Sequence, residues 1–336
     1  MSSVVAWVRS NAFLLGLFAM VGLAWAFPEP GANGGIFMSA VTRQLAVFVI
    51  FFIQGLNLPT EELHRGLKQL RLHGFVLAWN YTAFPLLVGG WVYSMGALLS
   101  PEVKFGFLYL AILPTTITSA VFFTSSADGD VAGAVFSTAI SNMLSVFLVP
   151  LGAAWLLFDG VEGGLPIGSM FLKLCQFILL PMILGQLLRP LLRLRISGWK
   201  PWFKRITTAA IFFIMYCTFC DGVMNAAWKS LGLGGVVASF LGAVFVLVSV
   251  AVLVWGTSRP WAGIPKTRVA AFFCASQKSL ATGVPMAASI FPGSGEISGI
   301  PDVSVIVVPL MCYHFLQLAL AARLVNRFRP LSKPNA

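Results

Sequence analysis

Apolar runs long enough to cross a bilayer recur along nearly the whole chain, and no other feature constrains its fold as much. A membrane-spanning helix needs about 17–25 predominantly apolar residues. Such runs fall at roughly 11–27, 38–56, 74–92, 104–127, 131–156, 166–188, 206–227, 236–257, 268–291 and 302–326. Of the 336 residues, 58% are hydrophobic and 10% are charged, a balance outside the soluble range. The reading is an all-α polytopic membrane protein, with ten transmembrane helices in a single membrane domain over 1–336.

The formal charge of +11 would suit nucleic acid, but the position of the cations excludes it. With a cytoplasmic N-terminus, they gather in alternate connections: Arg9; Arg65, Lys68 and Arg71; the stretch 189–205; Arg259, Lys266 and Arg268; and Arg323 to Lys333. Only Lys104 and Lys229 fall on the other side. This bias places both termini in the cytoplasm of a cell with the protein in its plasma (inner) membrane. Membrane lipids are therefore expected partners and nucleic acid is not. The stretch "RPLLRLRISGWKPWFKR" (189–205) reads as a hydrophilic loop, anchored at the interface by Trp199 and Trp202. The first apolar run with Arg9 and Ala24-Trp-Ala26 could pass for a cleaved signal peptide. Removing it would leave an odd helix count and weaken the charge pattern, so it is read as a span. The five cysteines all fall within predicted helices and imply no disulfide framework.

The ten runs divide after the fifth at "FDGVEGGLP" (158–166), giving repeats of about 11–156 and 166–326. An odd number of spans per half inserts the second half upside down, the arithmetic of an inverted repeat. Breakers fall in corresponding places. The fourth helix, "LYLAILPTTITSAVFFTS" (108–125), carries Pro114 with Thr115, Thr116, Thr118 and Ser119. The ninth, "AFFCASQKSLATGVPMAAS" (271–289), carries Ser276, Gln277, Lys278, Ser279, Thr282, Gly283 and Pro285. Proline removes a donor and frees a carbonyl. Such backbone survives at membrane depth only inside protein or beside a hydrated cavity. Two broken helices meeting near the midplane, with half-helix N-termini at 116–119 and 279–283, are the usual setting of a transporter's site. Gly283 and Pro285 account for the ninth-helix break on this reading.

Lys278 lies near the centre of its span, where an unpaired charge costs about 2.5 kcal/mol or more. It must face a cavity, a partner or freed carbonyls. On the fifth helix Ser137 and Ser141 stand at i, i+4, and Thr138, Asn142 and Ser145 form an adjoining stripe. Asn80, Tyr81 and Thr82 on the third helix, with His314 and Gln317 on the tenth, could complete the site. Asp221 is the one acid within a predicted span, and Asp128 and Asp130 read as turn and N-cap residues.

The segments "FFIQGLNLPTEEL" (51–63), "LPTTITSAVFFTSSADGDVAGAVFSTAISN" (113–142), "FFCASQKSLATGVPMAASIF" (272–291) and "VVPLMCYHFLQL" (307–318) resemble the SBF-like branch of the bile acid:sodium symporter superfamily. The resemblance covers nearly the whole chain. It implies two inverted five-helix repeats, a core domain in which unwound helices four and nine cross, and a panel domain of helices one, two, six and seven. In the bile-acid-transporting branch, sodium is held beside the crossover by hydroxyls, amides, carbonyls and a ninth-helix carboxylate. Gln277 and Ser119 match that branch's glutamine and serine, and Asn142 falls in its polar fifth-helix stretch, so any sodium would sit near those three. Yet no Asp or Glu occurs between Arg268 and Pro292, and Lys278 stands where that branch has a neutral amide. A fixed ammonium repels sodium, so sodium coupling does not transfer with the resemblance.

The expected function is secondary transport of a small organic anion by alternating access, with sodium or a proton as coupling ion and no other cofactor. Lys278 either replaces a coupling cation or contacts the anion. The alternative is a regulatory or scaffold protein that keeps the transporter fold without transporting. An enzyme using Ser279 with Lys278 is disfavoured, because adjacent helical residues do not face each other.

Overall fold

Apolar segments that leave water must satisfy their backbone internally, and a helix does so within one segment. The computed structural model of the chain describes residues 2–37, 40–57, 69–96, 98–157, 172, 175–262, 265–291 and 300–329, and among these it contains helices and turns but no strand. In order the helices are α1 (Ser2–Ala26), α2 (Ala40–Asn57), α3 (Leu70–Ala78), α4 (Phe84–Ser94), α5 (Pro101–Ile112), α6 (Ile117–Ser126) and α7 (Val131–Leu156). There follow α8 (Leu180–Met224), α9 (Ala227–Thr257), α10 (Arg259–Ala262), α11 (Pro265–Ser276), α12 (Leu280–Ile290), α13 (Val303–Ile306) and α14 (Val308–Phe328). A π-helical turn, Trp79–Ala83, joins α3 to α4, and another, Cys175–Leu179, precedes α8.

Among the described residues, six helical segments are long and apolar enough to cross a membrane, or seven if α5 and α6, bent by 63° at their break, count as one span. The sequence segment 158–166, expected to divide the two repeats, lies outside the described residues, as do Arg65, Lys68 and Lys333.

Two expectations are corrected. The stretch 189–205, expected as a loop, is helical within α8, which runs 45 residues through Pro190 and Pro201. α8 is not one straight rod: Gly55 packs on Met182, while Arg43, about 18 Å away along α2, lies close enough to Cys217 and Asp221 to act on them electrostatically, so the two membrane-length segments Cys175–Leu192 and Gly198–Met224 double back at this stretch. Hydropathy marks where a chain leaves lipid, whereas Leu, Arg and Lys are strong helix formers in either environment. The second correction concerns the ninth-helix break, which falls at Gln277–Ser279 rather than at Gly283 and Pro285. Both of those residues lie inside α12. The N-cap reading of Asp130 matches the structure, where its carboxylate accepts from Gly133 N–H at 3.0 Å.

The chain divides into two compact units. The first comprises Met1–Leu58, Pro166–Ser230 and Val284–Val305. Within it α2 and α8 cross with their backbones nearly touching: a Cβ at Gly55 would clash with the Met182 carbonyl, and one at Gly185 with the Phe52 carbonyl. Small residues permit such approach in membranes. Gln186 Nε2 then reaches the Gly55 carbonyl at 2.7 Å. Asp221 is buried in this unit, accepting from the Asn33 N–H at 2.6 Å.

The second unit comprises Pro59–Leu165, Leu231–Gly283 and Ile306–Ala336, and it holds both breaks. Its broad buried face includes Phe84, Phe107, Tyr109, Phe273 and Tyr313. At one end Trp255 stacks on Phe328 with centroids 4.5 Å apart, and the Arg268 guanidinium lies 3.8 Å from the Trp255 ring centroid.

Replacing Gly55 or Gly185 by Leu is expected to cost about 1–3 kcal/mol through overpacking and so to lower the melting temperature in detergent. Gly22→Leu, at a site where a Cβ meets nothing within 4 Å, should leave it unchanged. Equal melting of all three variants would contradict the close crossing.

Candidate substrate and ion site at two broken helices

Each break frees peptide groups that the membrane cannot solvate, so their destinations define the site. The α5–α6 break spans Leu113 to Thr116, both extended, with ψ of 151° and 135°. The α11–α12 break spans Gln277 to Ser279. The two breaks bond directly: the Ser279 N–H donates to the Pro114 carbonyl at 3.0 Å. The other freed carbonyls are met by side chains. Asn142 Nδ2 donates to Thr115 O at 2.8 Å, Tyr313 Oη to Ser276 O at 2.7 Å, and Asn80 Nδ2 to Cys274 O at 3.1 Å.

Lys278 meets the rest. Its side chain is fully buried, and Nζ donates to Leu113 O at 2.7 Å and to Ala111 O and Asn80 O at 3.1 Å each. An ammonium has three N–H donors, and all three are used. The Phe84 ring adds a cation–π contact, with Nζ 4.1 Å from its centroid. Ala111 and Leu113 close the C-terminal end of α5, the negative end of its dipole. Among the described residues no carboxylate pairs with the lysine.

The Asn80 carbonyl is available for a reason written in the sequence. In the π-turn the bonds run from residue i to i+5, as Phe84 N–H to Trp79 O illustrates. The next donor in that register would be residue 85, and Pro85 has no N–H. A proline five residues downstream thus turns a helix carbonyl toward the ammonium.

Gln317 grips the same peptide from α14. Its Oε1 accepts the Lys278 N–H at 2.8 Å and its Nε2 donates to the Lys278 carbonyl at 2.9 Å. His314 Nδ1 lies 2.7 Å from that Nε2, so His314 supports the clamp. Ser279 caps α12, its Oγ accepting from Thr282 N–H at 3.2 Å and donating to Thr282 Oγ1 at 3.0 Å. Thr282 Oγ1 in turn reaches Asn142 Oδ1 at 3.2 Å. Ser119 Oγ donates to Gln277 Oε1 at 2.6 Å, and Ser141 Oγ accepts the Thr115 N–H at 3.4 Å.

The structure therefore brings together Thr115, Ser119, Ser141, Asn142, Gln277, Lys278, Ser279, Thr282 and His314 of the sequence-derived set. Others point elsewhere. Thr118 is exposed, and Thr116 is buried without a side-chain capping bond. Thr138 and Ser276 bond their own helices through Ala134 O and Phe272 O. Ser137 lies 2.7 Å from His73 Nδ1. Sequence reasoning missed Phe84, and also Tyr109, whose hydroxyl donates to Gly283 O at 2.5 Å. It noted Tyr81 without its role: this hydroxyl donates to Ser141 O, also at 2.5 Å.

Three buried polar atoms at these elements have no hydrogen-bond partner: Gln277 Nε2, Thr115 Oγ1 and Asn80 Oδ1. Native interiors leave few such groups. Their presence beside a crossing of broken helices suits a place where a ligand's polar atoms complete the set.

Gln317→Leu should leave the Lys278 N–H unmet and its carbonyl with only the longer contact to His314 Nδ1 at 3.4 Å, costing about 1–3 kcal/mol for the N–H and up to as much again for the carbonyl. Tyr313→Phe unmasks one carbonyl and should cost about half as much. The order of melting temperatures in detergent checks this, and a Gln317→Leu variant as stable as wild type would refute the clamp.

Residues 11–330 match the model of the SBF-like CPA transporter family. An Escherichia coli (strain K12) protein named "Putative symporter YfeH" is 33% identical over 321 residues, covering 95% of this chain and 93% of that protein. The Xenopus tropicalis protein named "Sodium/bile acid cotransporter 7" is 31% identical over 326 residues, covering 95% of this chain and 91% of its own length. A Mus musculus protein of the same name is 30% identical over 328 residues, with 94% and 92% covered.

Proposed function

The chain belongs to the SBF-like CPA transporter family, and from that premise we propose that it is a secondary active transporter of a small organic anion, working by alternating access around the crossing of its two broken helices. The ten apolar segments are two inverted five-helix repeats, about 11–156 and 166–326. The first compact unit corresponds to a panel and the second to a core. Both breaks lie in the second unit, at matching places in the two halves, which supports this reading.

Lys278 is a tethered cation in place of a coupling ion, and one observation carries this choice over contact with substrate. All three of its N–H donors are spent on backbone carbonyls, leaving none for an anion. The anion is recognised instead by the N-terminal ends of α6 and α12, with Gln277 Nε2 and Thr115 Oγ1, the unpartnered donors. With the positive charge built in and no carboxylate on α11 or α12, sodium is not required at this position, and proton coupling is the reading that remains.

Uptake of organic anions into proteoliposomes tests this. Accumulation of an accepted anion should persist when choline replaces sodium on both sides, and should fall to background in Lys278→Met. Unchanged uptake by folded Lys278→Met protein would overturn the lysine's role. Absence of gradient-driven flux across a broad anion panel would favour a regulatory membrane protein that retains the fold.

A further inference from the structure

Outside the crossing, the second unit carries a groove that the transport reading does not use. It consists of two adjoining cavities, of about 530 and 210 Å³, that share Pro85, Trp155 and Leu156 as walls. Three helices each contribute one stripe. Leu86, Gly89, Gly90 and Tyr93 come from α4, Lys104, Leu108 and Ile112 from α5, and Leu148, Leu151, Gly152 and Trp155 from α7. These are helical spacings of three and four, so each stripe is one face. The hollow is made by glycine: a Cβ at Gly89 or Gly90 would meet nothing within 4 Å.

The groove is charged at one end only. Lys104 is its sole charged lining residue, grouped with Tyr93 and Gly96, and from there the lining residues carry no charge down to Ile112 and Tyr81. Among the described residues no carboxylate pairs with Lys104. From Tyr81 to Tyr93 the helical rise spans about 18 Å, close to one leaflet of a hydrocarbon core about 30 Å thick. Exposed Tyr93 and Trp155 flank the groove, and such rings favour the headgroup level. An amphiphile with one anionic head and one long chain matches this length and charge.

We propose that the groove is a specific phospholipid site, in which one acyl chain lies along Gly89, Gly90 and Gly152 and an anionic headgroup phosphate binds the Lys104 ammonium. The chain's tip ends at Tyr81, whose hydroxyl holds the Ser141 carbonyl beside the α5–α6 break. The lipid thereby touches an element that steadies the crossing.

Native mass spectrometry of the full-length protein, purified in detergent and supplemented with dioleoyl phosphatidylglycerol or dioleoyl phosphatidylcholine, tests the site. Wild type should retain one phosphatidylglycerol in preference to phosphatidylcholine. Lys104→Gln should lose that preference, and Gly90→Leu, which fills the hollow, should lose retention of both. Circular dichroism melting without added lipid should be the same for all three proteins. Equal retention of the two lipids by wild type, or wild-type retention by Gly90→Leu, would overturn the proposal. So would free oleate displacing phosphatidylglycerol at equimolar concentration, which would make the groove a path for a soluble anion.

Discussion

A peptide carbonyl freed at membrane depth has no water to accept a proton from, and the crossing of α5–α6 with α11–α12 is organised around that constraint. Lys278 answers it three times over, meeting carbonyls from the α3–α4 turn and from the end of α5 with one group. The cost of burying a charge is offset by three hydrogen bonds, an aromatic face and the negative end of a helix dipole. A neutral side chain of the same length could fill the space but could not supply three donors. The break in one helix thus depends on a side chain held at the break in the other.

This arrangement distinguishes a cation that is part of the chain from one that arrives by diffusion. Carbonyl oxygens at a helix end are ordinary ligands for a small hard cation, and here the ammonium already occupies them. A bound ion leaves when its gradient collapses, whereas a lysine on α11–α12 moves only with its helix. On the proposed function, anion recognition is separated from charge compensation: the donors unpartnered in the structure, Gln277 Nε2 and Thr115 Oγ1, are assigned the first task and Lys278 the second.

The sequence made much of this legible, because the membrane amplifies a few residue types. Pro114 marked a break and an isolated lysine in an apolar run marked a cavity or a nest of carbonyls; both features meet in the structure. What was missed follows from distance and register. Tyr109 and Tyr313 were not singled out, since the carbonyls they reach, Gly283 and Ser276, are far along the chain and send no local signal. Pro85 was readable in principle, but only if the i+5 register of the π-turn is considered in place of i+4. Gly283 and Pro285 misled because Pro285, the sixth of the eleven residues of α12, removes one hydrogen bond from the helix without ending it. The stretch 189–205 misled for a related reason: cations and tryptophans end a hydrophobic run without ending a helix.

The grip of Gln317 on both polar groups of the Lys278 peptide has an evolutionary corollary. It fixes the backbone at position 278 without consulting the side chain, as a neighbouring strand would. A lysine codon is one base change from codons for glutamine, asparagine, glutamate, methionine and arginine. The residue that sets the charge of the crossing can therefore be exchanged in one mutational step while its main chain stays anchored, and what such a change must replace is the three donors given to Asn80, Ala111 and Leu113.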